Sequence, residues 1–177
     1  MKQIEIHNEK GIVIICGPTS CGKTSTARKL LRLHKGKGKY ISYEKLKNSV
    51  PKKLGKEKQI VTFSKILAKE IEKVVANEKF AIIETPVIEE QQMFALIVAI
   101  KIYGFKDNIT ILKFNLPEER HLDYWARQRN SKPNKKVILQ ERALFEKEIL
   151  ETNYKQDGVS VYTICLLYTS PSPRDGL

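Results

Sequence analysis

Apolar residues along this chain come in short unbroken blocks, separated by longer stretches in which they recur at helical spacing. The block IVIIC, Ile12 to Cys16, contains no polar break, the pattern of a strand buried on both faces of a parallel sheet. Lys23 to Leu33 predicts a helix. KYIS, Lys39 to Ser42, predicts a short second strand, with a helical turn through YEKLKNSV behind it. Pro51 to Lys58 mixes Pro, Gly and Lys and predicts a loop. From Val61 to Ala76, the residues Phe63, Ile66, Leu67, Ile71, Val74 and Val75 share one helical face. FAIIE, Phe80 to Glu84, predicts a third strand that Pro86 ends. Val87 to Tyr103 predicts a largely apolar helix closed by Gly104. ITILKFN predicts a fourth strand, and Pro117 opens a further helix. RNSKPNKK interrupts that helix, which resumes from Val137 to Leu150, and VSVYTI predicts a fifth strand. No internal repeat is visible. Strand and helix alternating at crossover lengths predict an α/β domain, a parallel sheet flanked by helices.

Length and composition narrow the class. A chain of 177 residues has the length of one domain with a core of its own, and 41% hydrophobic with 29% charged residues is ordinary for a soluble protein. The longest apolar stretches, such as FALIVAIKIYGF, are too short and interrupted to span a bilayer, and MKQIEIHNEKG lacks the apolar core of a secretory signal. The expectation is a cytoplasmic protein with no membrane partner. Cys16, Cys21 and Cys165 show neither metal-ligand spacing nor a disulfide framework. Thirty-two Lys+Arg against 20 Asp+Glu give a net charge of +12, which favours phosphate-rich partners, although a lysine-rich solvated surface has the same composition. The final CLLYTSPSPRDGL drops lysine for Ser and Pro and resembles translated sequencing-adapter read-through. The domain is therefore expected over 1–164, with 165–177 a non-native tail without a role. Nothing in the sequence indicates an oligomeric state.

One stretch carries explicit chemistry. Gly17, Gly22, Lys23 and Thr24 satisfy G-x-x-x-x-G-K-[ST] between a predicted buried strand and a predicted helix. Glycines let the backbone curl until its N–H groups face inward as an anion nest, and the following helix points its positive dipole end at the same place. The segment Gly17, Pro18, Thr19, Ser20, Cys21, Gly22, Lys23, Thr24 and Ser25 is thus expected to hold nucleotide phosphates. Lys23 would reach the β- and γ-phosphates, and Thr24 would offer its hydroxyl to Mg²⁺. Cys21 is a small filler whose place at a helix N-terminus favours a lowered pKa.

A phosphate loop serves switches, motors and kinases alike. No N-K-x-D segment for reading guanine is present, and the chain is short for a motor. A small phosphotransferase needs a carboxylate for the acceptor proton, an acid on the metal side and a cationic cover over the phosphates. Glu44 follows the second strand, where open α/β sheets gather ligands, and is either a helix-start glutamate or the base. Glu84 ends the third strand as a metal-side acid or a solvated carboxylate. Arg127, Arg129, Lys132, Lys135 and Lys136 cluster in ARQRNSKPNKKV, either as a lid near 127–136 or as a solvated charge run.

These residues together resemble the 5′-OH polynucleotide kinases, in particular the kinase domain of bacterial polynucleotide kinase–phosphatase RNA repair proteins. The resemblance covers nearly all of Met1 to Ile164 and rests on GPTSCGKTSTARKLL, YISYEKLK, AIIETP, FNLPEE, RNSKPNKKV and GVSVYTI. It implies an adenylate-kinase-like P-loop NTPase fold with strand order 2-3-1-4-5, ATP as donor, Mg²⁺ as metal, and the 5′-OH of RNA or DNA as acceptor. It also implies Glu44 as general base, Lys47 as the cation on the acceptor phosphate, and Arg127, Arg129 and Lys132 as lid cations. This chain departs from the family at Glu44 and Glu84, where the family has Asp, and at Lys47, where it has Arg and so a bidentate fork. KGKGKY and KLKNSVPKKLGKEK would neutralise phosphates of a bound strand, with Tyr40 and Tyr43 as stacking partners. Two other readings fit the same residues: a P-loop kinase of a small metabolite or nucleoside, and an ATP-binding module with little or no turnover.

Overall fold

Three central strands and two edge strands follow from where the apolar blocks fall. A computed structural model describes residues 11–34, 38–77, 80–86, 90–102, 109–114, 117–119, 121–123, 134–148 and 159–164. Strands β1 (Gly11–Cys16), β3 (Phe80–Glu84) and β4 (Ile109–Phe114) are almost wholly buried. Strands β2 (Gly38–Ser42) and β5 (Val159–Ile164) are only partly so. The order is β2-β3-β1-β4-β5 and every pairing is parallel, as the resemblance implies. β1 sits in the middle with β3 and β4 beside it, and so needs apolar side chains on both faces.

Alternation along these strands divides the core in two. Val13, Ile15, Phe80, Ile82, Leu112 and Phe114 face α1 (Lys23–Leu33), whose Ala27 is buried against them. Ile12, Ile14, Ala81, Ile83, Ile109 and Ile111 face the other way. They are covered by Leu67, Ile71 and Val74 of α3 (Lys56–Ala76), Met93, Leu96, Ile97 and Ile100 of α4 (Glu90–Ile102), and Phe145 of α5 (Lys135–Glu148). Short α2 (Tyr43–Ser49) follows β2 without a break, with Ser42 as its N-cap accepting the Lys45 N–H at 3.3 Å.

Helix boundaries differ from expectation where the first turn is polar. The predicted loop ending at Lys58 gives way to helix at Lys56, because Gly55 offers its carbonyl to Gln59 N–H at 2.9 Å and the lysines of that turn stay in solvent. α5 begins at Lys135 rather than Val137, with the Asn134 side chain accepting the Val137 N–H at 3.4 Å. The predicted ends of the fourth helix at Val87 and Tyr103, and the tail over 165–177, lie outside the described residues. Among the described residues no helix is long and apolar enough to cross a membrane.

Because all five strands run parallel, their carboxyl ends gather at one edge of the sheet. Cys16, Ser42 and Glu84 end there in adjacent strands, and the registers Ser42↔Glu84 and Ile15↔Glu84 set the spacing of the site.

Candidate active site

The loop after β1 is shaped to receive an anion. Gly17 packs so closely that a Cβ would lie 2.9 Å from Phe114 Cβ and 3.0 Å from Cys21 Sγ, so only glycine fits. Ser20 (φ 62°) and Gly22 (φ 94°) take left-handed conformations, which turn successive amides toward a common centre. Gly22 caps α1 with no side-chain cap, and the first turn of α1 holds no acid, so its amides are left to a ligand.

Lys23 is buried, and its ammonium donates to the carbonyls of Gly17 and Pro18 at 2.8 Å each. Hydrogen bonds from a charged donor contribute about 1.5–3 kcal/mol, which offsets the cost of desolvating the ammonium. Phosphate oxygens arriving in the loop can take over these bonds without moving the side chain far. Burial pushes the Cys21 thiol up despite nearby Lys23, so the lowered pKa expected at the helix N-terminus is corrected, and Cys16 is pushed up to about 12 by burial. Both are packing residues. Ser25 is exposed on the first turn of α1.

Thr24 and Glu84, expected to share a metal, are brought together: Thr24 Oγ1 donates to Glu84 Oε1 at 2.9 Å. The other oxygen, Oε2, accepts from Tyr40 OH at 2.5 Å. The Tyr40 ring packs on the α1-side core, and burial together with the Glu84 hydrogen bond pushes its phenol well above the usual range. Tyr40 is thus a support for Glu84 rather than a free stacking platform. Behind this pair, Thr85 N–H donates to the Ile15 carbonyl at 2.9 Å and fixes the exit of β3 on β1. Among the described residues no group of three or more His, Cys, Asp or Glu could hold a metal. A hydroxyl, one carboxylate and nucleotide phosphate oxygens form the sparse oxygen set that suits Mg²⁺, so the residues present fit that ion.

Two residues that the sequence did not single out close on the loop tip. Glu141 of α5 accepts the Thr19 N–H at 2.7 Å and the Thr19 hydroxyl at 2.9 Å. The wholly buried His121 donates from Nε2 to the Thr19 carbonyl. A signal existed for Glu141. Ile138 and Phe145 mark the buried side of α5, and an acid spaced three and four residues from them lies on that same side. His121 follows Pro117 by one helical turn, its N–H bonded to the Pro117 carbonyl at 3.0 Å.

Glu44 and Lys47 both ride on α2, one turn apart and exposed. Glu44 forms no side-chain hydrogen bond or ion pair among the described residues. Lys47 helps line a cavity of about 450 Å³ between α2, α3 and α4. Tyr43 also lines it, its ring tilted against Phe63 at 4.8 Å, and so is placed as a wall rather than a stacking partner for a strand. Arg127, Arg129 and Lys132 lie outside the described residues. At the near end of the same cluster, Lys135 pairs with Glu118 at 3.4 Å and Lys136 is exposed.

Residues 12–147 match the AAA domain family AAA_33. The chain belongs to this family. Membership of this P-loop family implies ATP binding, which agrees with a loop whose Thr19 amide already donates to a carboxylate. No curated protein matches the chain. Among solved structures, a sugar kinase from Janibacter sp. HTCC2649 is similar at 14% identity and a TM-score of 0.59, over 90% of this chain and 87% of that one. A gluconokinase from Sinorhizobium meliloti 1021 is similar at 9% identity and a TM-score of 0.55, over 88% and 83%. The Pnkp1/Rnl/Hen1 RNA repair complex is similar at 15% identity and a TM-score of 0.58, over 82% of this chain and 47% of that one, so this chain spans about half of the chain it matches there. At these identities the likeness shows the fold, which is P-loop kinase-like.

Proposed function

We propose that the protein is an ATP-dependent kinase that moves the γ-phosphoryl group to a hydroxyl of a small acceptor. The observation that carries this reading is the placement of α2. It leaves the same sheet edge as the phosphate loop, bears at Glu44 a carboxylate without a partner among the described residues, and walls a cavity with Lys47.

In this reading the loop amides and Lys23 hold the β- and γ-phosphates. Thr24 and Glu84 hold Mg²⁺, which when bound neutralises charge on those phosphates. Glu44 accepts the acceptor's hydroxyl proton as the new O–P bond forms and the β–γ bridging bond breaks, leaving ADP. Lys47 orients the acceptor, and Arg127, Arg129 and Lys132 supply charge from the lid. Little covalent chemistry falls to the protein, so positioning and electrostatic stabilisation supply most of the rate. A cavity bounded by three helices favours a small acceptor over a polymer. Transfer to a nucleic-acid 5′-OH is the second reading, supported by exposed Lys52 and Lys53 in the α2–α3 connection and exposed Lys56 and Lys58 in the first turn of α3.

The test offers γ-labelled ATP and Mg²⁺ with a panel of nucleosides, nucleoside monophosphates, sugars, small hydroxy acids, and 5′-OH RNA and DNA oligonucleotides. Label on a small acceptor, abolished by Lys23→Met, is the expected result. Label on oligonucleotide ends alone decides for the second reading. ATP binding with no labelled acceptor decides for a module without turnover.

A further inference from the structure

The lining of the cavity is more selective than its place in the fold requires. Phe63, Ile60 and Leu67 form the α3 wall, and Ala95, Leu96 and Ala99 form the α4 wall. Ala95 and Ala99 stand one turn apart, so this side is flat and open to a ring. The volume of about 450 Å³ falls within the range of small-molecule pockets, roughly 300–1,000 Å³.

Among the described residues, charge at the cavity has one sign: the titratable lining groups are Lys47 at the end of α2, Lys56 at the start of α3 and the Tyr43 phenol, with no acid among them. Neither lysine is ion-paired among the described residues. The turn between them is held in shape: Gln59 Nε2 donates to the carbonyls of Leu54 at 2.7 Å and Lys52 at 3.2 Å, and Leu54 N–H donates to the Pro51 carbonyl at 3.2 Å. The two ammonium-bearing helix ends are therefore pre-set, and a ligand pays little ordering entropy to meet them. A bare sugar is matched less well: its many hydroxyls each need a partner on burial, and beside the two lysines the lining offers only Ser64, Gln92 and the Tyr43 hydroxyl, with the Gln59 amide nitrogen already committed to the turn.

We propose that this cavity selects an amphipathic anion, a planar or branched apolar body carrying a carboxylate or phosphate group placed between Lys47 and Lys56. That this molecule is also the acceptor rests on the kinase reading above; the binding chemistry does not.

The experiment separates the two. The full-length chain is titrated without nucleotide, by fluorescence, with 8-anilinonaphthalene-1-sulfonate and with its neutral relative N-phenyl-1-naphthylamine. The expected result is about tenfold tighter binding of the sulfonate, lost in the Lys47→Gln/Lys56→Gln double variant while the neutral probe is unaffected. Ala99→Trp, which fills the cavity, weakens both probes at least about tenfold, with unfolding midpoint as the control for folding. If that variant does not fold, Ala95→Leu repeats the test from the neighbouring turn. Equal affinity for the two probes overturns the proposal. So does an anion preference that survives in the double variant, or probe binding indifferent to filling at Ala99 or Ala95, which would place the probes on exposed apolar side chains such as Phe94, Val98 and Ile102 of α4. Probe binding that follows the cavity, with no acceptor labelled in the transfer assay, upholds the binding proposal and removes the kinase reading. Label transfer to an acceptor whose KM ignores the filling variants upholds the kinase reading and removes the cavity as its acceptor site.

Discussion

Glu141 holds Thr19 by both its amide and its hydroxyl, at 2.7 and 2.9 Å, across 122 positions of sequence. The acceptor is a carboxylate, and the donors belong to the loop that is built for phosphate. The helix following the expected lid therefore touches the phosphate loop through a carboxylate.

The charge on Glu141 opposes an incoming triphosphate, while its hydrogen bonds keep the loop open. Glu141→Gln retains an oxygen for Thr19 and removes the charge. ATP affinity measured by calorimetry is expected to rise about 3- to 10-fold, on the order of 1 kcal/mol, and more at low salt than at high. Unchanged or weaker binding would mean that Glu141 acts only as a strut.

Tyr40 positions Glu84 from behind. In Tyr40→Phe the carboxylate loses one of its two hydrogen bonds among the described residues, worth about 1.5–3 kcal/mol to a charged acceptor. The half-saturating Mg²⁺ concentration for nucleotide turnover is expected to rise by roughly 10- to 150-fold at most, with kcat at saturating Mg²⁺ nearly restored. A purely structural tyrosine would lower stability and leave the Mg²⁺ dependence alone.

His121 sets an acid limit on the loop. Burial holds its imidazole below the usual histidine range, against the Thr19 carbonyl and Glu141, which favour the charged form; Arg142 and Lys23 reinforce the lowering. A base depressed in the folded state contributes stability that is fully present above the ordinary histidine pKa. That contribution is lost as pH falls through the lowered value, because the unfolded chain binds the proton first. Denaturant unfolding between about pH 8 and pH 5 should show falling stability in the wild type and a flatter profile in His121→Gln, which still offers a donor to Thr19.

What the sequence disclosed, and what it withheld, follows from the range of each signal. β1, the loop and α1 were legible because an unbroken apolar run, two glycines and Lys23–Thr24 are contiguous. Short, largely apolar blocks at crossover spacing found all five strands, and the strand order came from the family resemblance. The Thr24–Glu84 pair was legible because Thr24 opens the helix after β1 and Glu84 ends β3, and a parallel sheet gathers both places at one edge. The starts of α3 at Lys56 and α5 at Lys135 were not legible, since a solvated first turn carries no periodicity. Glu141 and His121 were missed, and Tyr40 was read as a stacking partner rather than a support for Glu84, for a different reason. Each acts through tertiary contacts 44 to 122 positions away; local spacing can place Glu141 on the buried side of α5 but does not name its partner. The cavity chemistry also depends on three helices whose facing sides are fixed only when they pack.

Glu44 gives the most direct test of the phosphotransfer account. In Glu44→Ala, ATP affinity and γ-phosphoryl transfer to the best acceptor of the panel are measured side by side. The account predicts unchanged ATP binding with transfer reduced about 10²- to 10⁴-fold, the usual contribution of a general base. Transfer at the wild-type rate would contradict it.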